Sequence, residues 1–211
     1  MRKIIQLALV PVILGLIYAI YVLISTPIQF EQHKAARSAA VVERIKDVRA
    51  AQRAYKGKHL AFTGSFDTLI RFVLNDSLVL ERKIVDEDDS VGMAQLRKSG
   101  RRNVQSFKVA VIDTIFSPRK LTPAQVRELR YIPGTGSKTE FILGAGKITT
   151  ESKVVIPIVE CKAPYTQYLD TLTYRQEIIN LIDNDVNNYN KYPGVKFGSM
   201  LGGNNEAGNW E

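Results

Sequence analysis

Two segments of the sequence combine glycines with a lysine, as phosphate-binding loops do. They are "PGTGSKT" at residues 133–139 and "GAGKIT" at residues 144–149. Neither has its first glycine at the spacing that such a loop requires, and Ile148 stands where a Ser or Thr would bind magnesium. Each segment also leads into a predicted strand rather than into a helix, whose N-terminus would hold the phosphate. We therefore expect no nucleotide site.

Other reactive side chains do not form a recognisable catalytic or metal-binding pattern. The acidic run "DEDD" at residues 86–89 lacks the alternating oxygen donors and the later Glu of a calcium loop, so we interpret it as a solvated hairpin tip. His33 and His59 form no cluster, and no Ser has the flanking glycines of a nucleophile turn. Cys161 is the single cysteine, and its context "PIVECKAP" predicts burial in a strand. We expect no enzyme activity, no cofactor and no metal site.

The most apolar stretch predicts a membrane anchor. Residues 4–24, "IIQLALVPVILGLIYAIYVLI", contain Gln6 as the only strongly polar side chain. A hydrocarbon core of about 30 Å needs about 20 such residues in a helix, and Pro11 and Gly15 are tolerated in membrane helices. A cleaved signal peptide would have an apolar region of only about 7–15 residues and a small-residue cleavage site. "LISTPIQF" offers no such site, so the sequence predicts an uncleaved signal anchor.

The charges around this stretch predict its orientation. Arg2 and Lys3 precede it, whereas residues 25–32 contain no Lys or Arg and one acid, Glu31. Because positive flanks stay in the cytoplasm, we expect a cytoplasmic N-terminus and an exported remainder. In a bacterium this describes a single-pass inner-membrane protein with a periplasmic domain.

Residues 28–58 predict an amphipathic juxtamembrane helix that begins near Phe30 and ends at a C-cap on Gly57. Its narrow apolar stripe follows three- and four-residue steps: Val41, Ile45, Val48, Ala51 and Tyr55. We interpret this stripe as too thin for a globular core and as suited to pairing with another helix. The stripe is therefore the first candidate interaction surface.

The other faces of this helix carry much of the net charge of +8. Their bases are Lys34, Arg37, Arg44, Lys46, Arg49, Arg53, Lys56 and Lys58. One interpretation is a solvated face with local ion pairs such as Glu43 with Lys46 and Arg44 with Asp47. The other is attraction to anionic lipid headgroups or to an acidic protein, with Arg49 and Arg53 as contact residues. Nucleic acid is not an expected partner, because the helix is predicted to lie outside the cytoplasm.

Residues 59–198 predict an α+β domain with an antiparallel sheet. Ser65 is a predicted N-cap for a short helix whose apolar face is Phe66, Leu69, Ile70 and Val73. Thr122 and Pro123 predict a second helix start, with the helix reaching Tyr131. Predicted strands are 77–85, 104–116, 138–145, 146–152 and 153–163, with Gly144 and Gly146 as a turn. A last helix is predicted around residues 178–186 and stops at Pro193 and Gly194.

The C-terminal tail, residues 199–211, is rich in Gly and Asn and is expected to lie extended on the surface. Trp210 is the exception in this polar segment. A large aromatic side chain near a chain end indicates docking, either on its own domain or on a partner. Trp210 is therefore a further candidate interaction residue.

Over roughly residues 4–116 the layout resembles that of type IV pilins and pseudopilins. The shared features are a membrane helix, a long amphipathic helix, a Tyr–Gly break, an "F-x-x-L" turn and antiparallel strands. The chain differs in lacking the processed Gly before the apolar run and an acidic residue inside it. The segments "NKYPGVKFGS" and "NNEAGNWE" are similar to uncharacterised envelope proteins of Bacteroidota. The resemblance implies an envelope protein that acts through protein contacts.

The complete prediction is an α+β protein with four segments. Residues 1–27 are the cytoplasmic N-terminus and anchor, 28–58 the juxtamembrane helix, 59–198 the periplasmic domain and 199–211 the tail. Its expected role is that of a non-enzymatic subunit of an inner-membrane envelope assembly, such as secretion, pilus-like or transport machinery. Membrane lipid and an envelope protein or a second copy are the expected partners. The alternative is a membrane-tethered module that binds peptide or glycan.

Overall fold

The computed structural model describes residues 2–86, 88–117, 119–136 and 138–211. Glu87 of the acidic run and Ser137 of the first glycine–lysine segment lie outside these ranges. The described chain is an α+β protein, with one long N-terminal helix followed by two small antiparallel sheets and short helices.

The N-terminal helix, α1, runs without interruption from Arg2 to His59. Its 58 residues correspond to about 87 Å at 1.5 Å per residue. In the part of the chain that the structure describes, α1 is the one helix long and apolar enough to cross a membrane, and none of its most apolar window is buried. α1 therefore fits a single-pass membrane anchor. The juxtamembrane helix has no separate start near Phe30, because α1 continues through Pro27.

The second half of α1 forms the centre of a head domain. Phe30 is buried, and the stripe residues Val41, Ile45, Val48 and Ala51 are fully buried. They share one core with side chains from the short helices and the larger sheet. The prediction that this stripe is too thin for a globular core is wrong. A narrow stripe suffices because other elements, distant along the chain, supply the rest of the core.

α1 ends two residues beyond the predicted C-cap. Gly57 lies inside the helix, and His59 is its last residue. The left-handed residue is Leu60, at φ +56°, and its N–H donates to the carbonyl of Lys56 at 2.8 Å. The prediction of a cap at Gly57 is therefore wrong. The following helix, α2 (Phe66–Asn75), begins as predicted, because the Ser65 hydroxyl accepts from the Thr68 N–H.

The first sheet is a two-stranded arm that includes a helix in its connection. β1 (Ser77–Arg82) and β2 (Gln105–Ala110) pair in antiparallel register, with Ser77 opposite Ala110. α3 (Ser90–Lys98) lies between them and is capped by Asp89, so the connection is not a simple tip. The predicted strand 104–116 is wrong beyond Ala110, where α4 (Val111–Ile115) follows. The ladder with β1 ends at Ser77 and Ala110; the Val111 N–H then donates to the Asp76 carbonyl, and the chain forms α4 with Val111 buried.

The second sheet has the order β3–β4–β5 and is antiparallel throughout. α5 (Pro123–Arg127) precedes it with a Thr122–Gln125 capping box and continues into a 3₁₀ turn at Glu128–Arg130. The strands are β3 (Ile142–Thr149), β4 (Val155–Pro164) and β5 (Gly194–Gly198). Gly144 and Gly146 lie within β3, so the predicted turn between two strands there is wrong. Because these glycines have no side chain, Met200 has space to pack there. Its nearest atoms lie 3.5 Å and 3.2 Å from the points where a Cβ atom would stand on Gly144 and Gly146.

The remaining elements close the head. After β4 the chain forms α6 (Tyr165–Tyr168), α7 (Arg175–Asp183) and a π-helical turn at Asn184–Asn188. β5 was not predicted, and it brings the C-terminal tail back to the sheet. Phe197 forms a bridge with Gly208, so the tail folds back rather than lying extended. Trp210 packs against the main core, which is the first of the two docking alternatives.

Candidate functional site

The seven predicted contact residues fall into two groups in the structure. Val41, Ile45 and Val48 are fully buried within the chain, so a partner helix has no access to them. Tyr55 is half-buried, and its ring lies 5.2 Å from that of Phe72 in an edge-on contact. The stripe consequently belongs to the head's own core, and this excludes it as the contact surface of the folded chain.

Arg49, Arg53 and Trp210 are brought together by the C-terminal tail. Glu206 lies between two cations, with Arg53 Nε 3.1 Å from Oε2 and Lys56 Nζ 3.2 Å from Oε1. Its side chain is only 9% exposed. We call this group of residues the tail clasp: Arg49, Arg53, Lys56, Glu206, Trp210 and Glu211.

Arg49 makes three contacts within the tail clasp. Its Nη1 donates to the Glu206 carbonyl at 3.3 Å and pairs with Glu211 Oε1 at 2.5 Å. The guanidinium also lies over the Trp210 ring, 5.3 Å from its centroid. The hydrogen bond from Arg49, assisted by one from the Gly208 N–H, holds the pKa of Glu211 below its ordinary value.

The tail clasp changes the interpretation of the basic helix face. Three of its bases, Arg49, Arg53 and Lys56, pair with carboxylates of the same chain. Two carboxylates thus compensate two of these three positive charges within the chain, which leaves less charge to attract an acidic protein or a lipid surface. The tail's two acids were visible in the sequence, but only the fold brings them to α1.

A second charged cluster lies on the other side of the same helix. Arg119 pairs with the carboxylates of both Glu43 and Asp47. Arg44 donates to the Glu128 carbonyl at 2.6 Å, and burial lowers its pKa. The predicted local pairs are not the ones that form, because Arg119 takes both carboxylates. A cavity of about 220 Å³ lies among these side chains.

The arm is the least buried part of the head. We define it as residues 77–110, and no residue of this range that the structure describes is buried. Several of its apolar side chains are exposed: Val79, Ile84, Val91, Val104 and Phe107. Contacts hold its base, where Lys58 Nζ donates to the Ser77 carbonyl at 3.3 Å and Val111 N–H donates to the Asp76 carbonyl at 3.1 Å.

Cys161 and the acidic side chains show no further arrangement of chemical interest. Cys161 is fully buried in β4, as predicted, and burial raises the pKa of its thiol. In the described ranges, no group of three or more His, Cys, Asp or Glu side chains is placed to hold a metal ion. The candidate site that the geometry offers is therefore a surface, and the arm is the most accessible one.

No protein-family model, curated protein or solved structure matches this chain. Its fold and its surface chemistry are the basis for a functional proposal.

Proposed function

We propose that this chain is a non-enzymatic subunit of an inner-membrane envelope assembly, anchored by α1 and bound to its partner through the arm. The observation that carries the proposal is the exposure of the arm, in which no described residue is buried. The proposed contact surface is therefore a different element from the apolar stripe of α1.

Exposed apolar side chains on a two-stranded sheet favour a binding role for the arm. An isolated hairpin is only marginally stable in water, and more strands or a packed face are needed to stabilise it. The arm's sheet has only two strands, so each strand is an edge strand, and an edge strand can pair with a strand of another chain. An incoming strand would extend the sheet and also cover exposed side chains such as Val79. A protein with an accessible strand, or a second copy, is the partner class that fits.

The anchor determines where this surface is presented. Arg2 and Lys3 favour a cytoplasmic N-terminus and a periplasmic head. Lys58, which holds the base of the arm, lies 34 residues after Ile24, which is about 51 Å along a continuous helix. The arm would thus meet its partner well above the bilayer. This arrangement is compatible with a pilin-like layout, which stays a prediction.

A tethered peptide- or glycan-binding module has less support. Ligand pockets have volumes of about 300–1,000 Å³. The cavity beside Arg119 is smaller, at about 220 Å³, and the depression of about 570 Å³ between α6 and α7 is open and mostly apolar. The charges around the cavity beside Arg119 also pair with one another, which leaves fewer groups for a ligand.

Charge substitutions on the arm test the proposal. Val79 and Phe107 lie on opposite faces of the arm, since Phe107 is opposite Leu80 in the register. We expect Val79→Asp, Phe107→Asp or both to release the chain from the assembly in native-membrane detergent extracts. The matched control is Val155→Asp, because Val155 is a strand residue with 59% exposure against 60% for Val79.

The measurement is the protein mass of the extracted particle, by light scattering after size-exclusion chromatography. The expected result is a complex for wild type and Val155→Asp and a monomer for at least one arm variant, with unchanged melting of the head. A wild-type chain that is monomeric in these extracts would contradict the proposal. So would arm variants that keep the wild-type mass.

A further inference from the structure

A second apolar surface lies at the end of the head that is nearest to the anchor. We call it the membrane-side patch, and its residues are Thr166, Thr171, Leu172, Arg175, Ile179 and Ile182. These side chains surround an open depression of about 570 Å³ between α6 and α7. Leu172 is 93% exposed, and Ile179 is also exposed.

Contacts with α1 locate this patch relative to the bilayer. Tyr174, two residues after Leu172, lies with its ring 5.5 Å from Phe30 and 5.7 Å from His33. Phe30 is the first buried residue among the α1 side chains that the structure describes. The patch consequently lies beside the part of α1 that directly follows the apolar stretch.

The patch lies just above the lipid headgroups. Phe30 follows Ile24 by six residues, which is about 9 Å along the helix. The polar zone of a bilayer adds roughly 5–8 Å on each side of the hydrocarbon core. Ile28, which lies between them, is still an exposed apolar side chain. A side chain that projects from the patch toward the anchor would therefore reach the headgroup region.

A defined turn holds Leu172 in its exposed position. The Asp170 carboxylate accepts from the N–H of Leu172 at 3.0 Å and from the hydroxyl of Thr173 at 2.6 Å. The hydrogen bonds from the Thr173 hydroxyl and N–H, with that from the Leu172 N–H, hold the pKa of Asp170 below its ordinary value. These bonds hold the backbone of a turn on which the Leu172 side chain is 93% exposed. An exposed isobutyl side chain on an ordered turn is unfavourable in water and suited to lipid.

We propose that the membrane-side patch rests on the bilayer, so that the head has a second lipid contact besides its anchor. This inference rests on the anchoring part of the proposed function. Because α1 holds the patch at the membrane surface, the local lipid concentration is very high and even a weak contact is populated. Leu172 and Ile179 would enter the headgroup boundary, and the exposed Arg175 would lie level with the phosphates. A protein partner would have to fit between the head and the membrane.

Site-specific fluorescent labelling tests the contact in the full-length chain. Leu172→Cys carries an environment-sensitive dye, and the native Cys161 stays unlabelled because it is fully buried. Leu201→Cys is the matched control, since Leu201 is 98% exposed and lies in the tail, which contacts α1 at Arg53 and Lys56, far from Phe30. Ile17→Cys, inside the apolar stretch, reports whether the anchor is inserted. The chain is reconstituted in vesicles of phosphatidylcholine and phosphatidylglycerol that contain spin-labelled lipids.

The expected result is quenching of the dye at position 172 by lipids labelled near the headgroup, several-fold stronger than at position 201. The dye at position 17 should be quenched by lipids labelled deep in the acyl chain. If position 17 is quenched and position 172 behaves like position 201, the lipid contact is overturned while the anchor stands. If position 17 is not quenched, the anchor itself fails. A further outcome is a dye at position 172 with blue-shifted emission that lipid does not quench and that returns to its unshifted wavelength when the protein is diluted. This outcome would overturn the proposal in favour of a second copy.

Thermal melting of each labelled chain excludes misfolding as the cause of a negative result. Ile179→Cys provides a second position on the same patch. A dye at this position should also be quenched by lipids labelled near the headgroup. Agreement between positions 172 and 179 is expected, and a contact at neither position with a native melt overturns the inference.

Discussion

Glu206 is the residue on which the tail clasp depends. Both it and Asn205 have φ +53°, a left-handed conformation that costs about 1–2 kcal/mol for a residue with a Cβ atom. The cost is offset by contacts that this conformation permits. The side chain reaches Arg53 and Lys56, and the carbonyl accepts from Arg49. A strained turn is thereby stabilised by charge.

Removing the charge of Glu206 should release the tail. We expect Glu206→Gln to lower the free energy of unfolding by about 1–2 kcal/mol. The loss stays moderate because Arg53 and Lys56 are half-exposed and can be solvated again. Trp210 is the single tryptophan, so its fluorescence reports the docked tail directly. The control is Glu151→Gln in the exposed turn after β3, and equal emission spectra for both variants would contradict a clasp held by Glu206.

Acid should weaken the tail clasp in a defined direction. The pKa of Glu211 is lowered by its hydrogen bond from Arg49. A carboxyl with a depressed folded-state pKa contributes stability above its ordinary pKa and loses it as the pH falls through the depressed value. We expect Glu211→Gln to destabilise docking at neutral pH and to match wild type in strong acid. Denaturant titrations followed by Trp210 emission at a series of pH values measure this, and a difference that grows toward acid would refute it.

At the C-terminal end of α1, removing one glycine and introducing another should both stabilise the head. Gly57 is helical, and a Cβ there meets no atom within 4 Å, so Gly57→Ala should stabilise the head by about 0.5–1 kcal/mol. Leu60 is exposed and left-handed, and Leu60→Gly should stabilise it by about 1 kcal/mol. Thermal melts test both changes. If Gly57→Ala destabilised the head and Leu60→Gly did nothing, the helix would end at Gly57 after all.

Elements whose signals are local could be predicted from the sequence. Ser65 caps α2, and Thr122 with Gln125 forms the capping box of α5, because each signal lies within four residues of its effect. The predictions are wrong where a segment that is distant in the sequence determines the local structure. β3 continues through Gly144 and Gly146 because β4 pairs along its whole length and Met200 fills the space above them. Nothing within that segment of sequence indicates either neighbour.

The candidate site shows the same limit at the scale of the whole molecule. Arg49, Arg53 and Trp210 were singled out as contact residues, and they do contact other side chains. The carboxylates that meet Arg53 and Arg49 lie 153 and 162 positions away along the chain. A single sequence shows the charges but not which of them the fold will pair. The arm was missed for a different reason, because an exposed apolar residue in a strand pattern is normally assigned to a core.

The role of α1 as the core of the head can be separated from a role in helix pairing. Ile45 is fully buried, so Ile45→Ala should lower the free energy of unfolding of the head by about 2–4 kcal/mol through lost contacts and a residual cavity. Ile20→Ala is the matched control, because Ile20 lies in the apolar stretch, is exposed and is not part of the head's core. Denaturant unfolding of the full chain in nanodiscs, followed by Trp210 emission, measures both. If Ile45→Ala left unfolding unchanged but reduced the mass of the extracted particle, the stripe would face another helix. The burial seen here requires the opposite result, because a side chain enclosed by its own domain cannot be removed without loosening that domain.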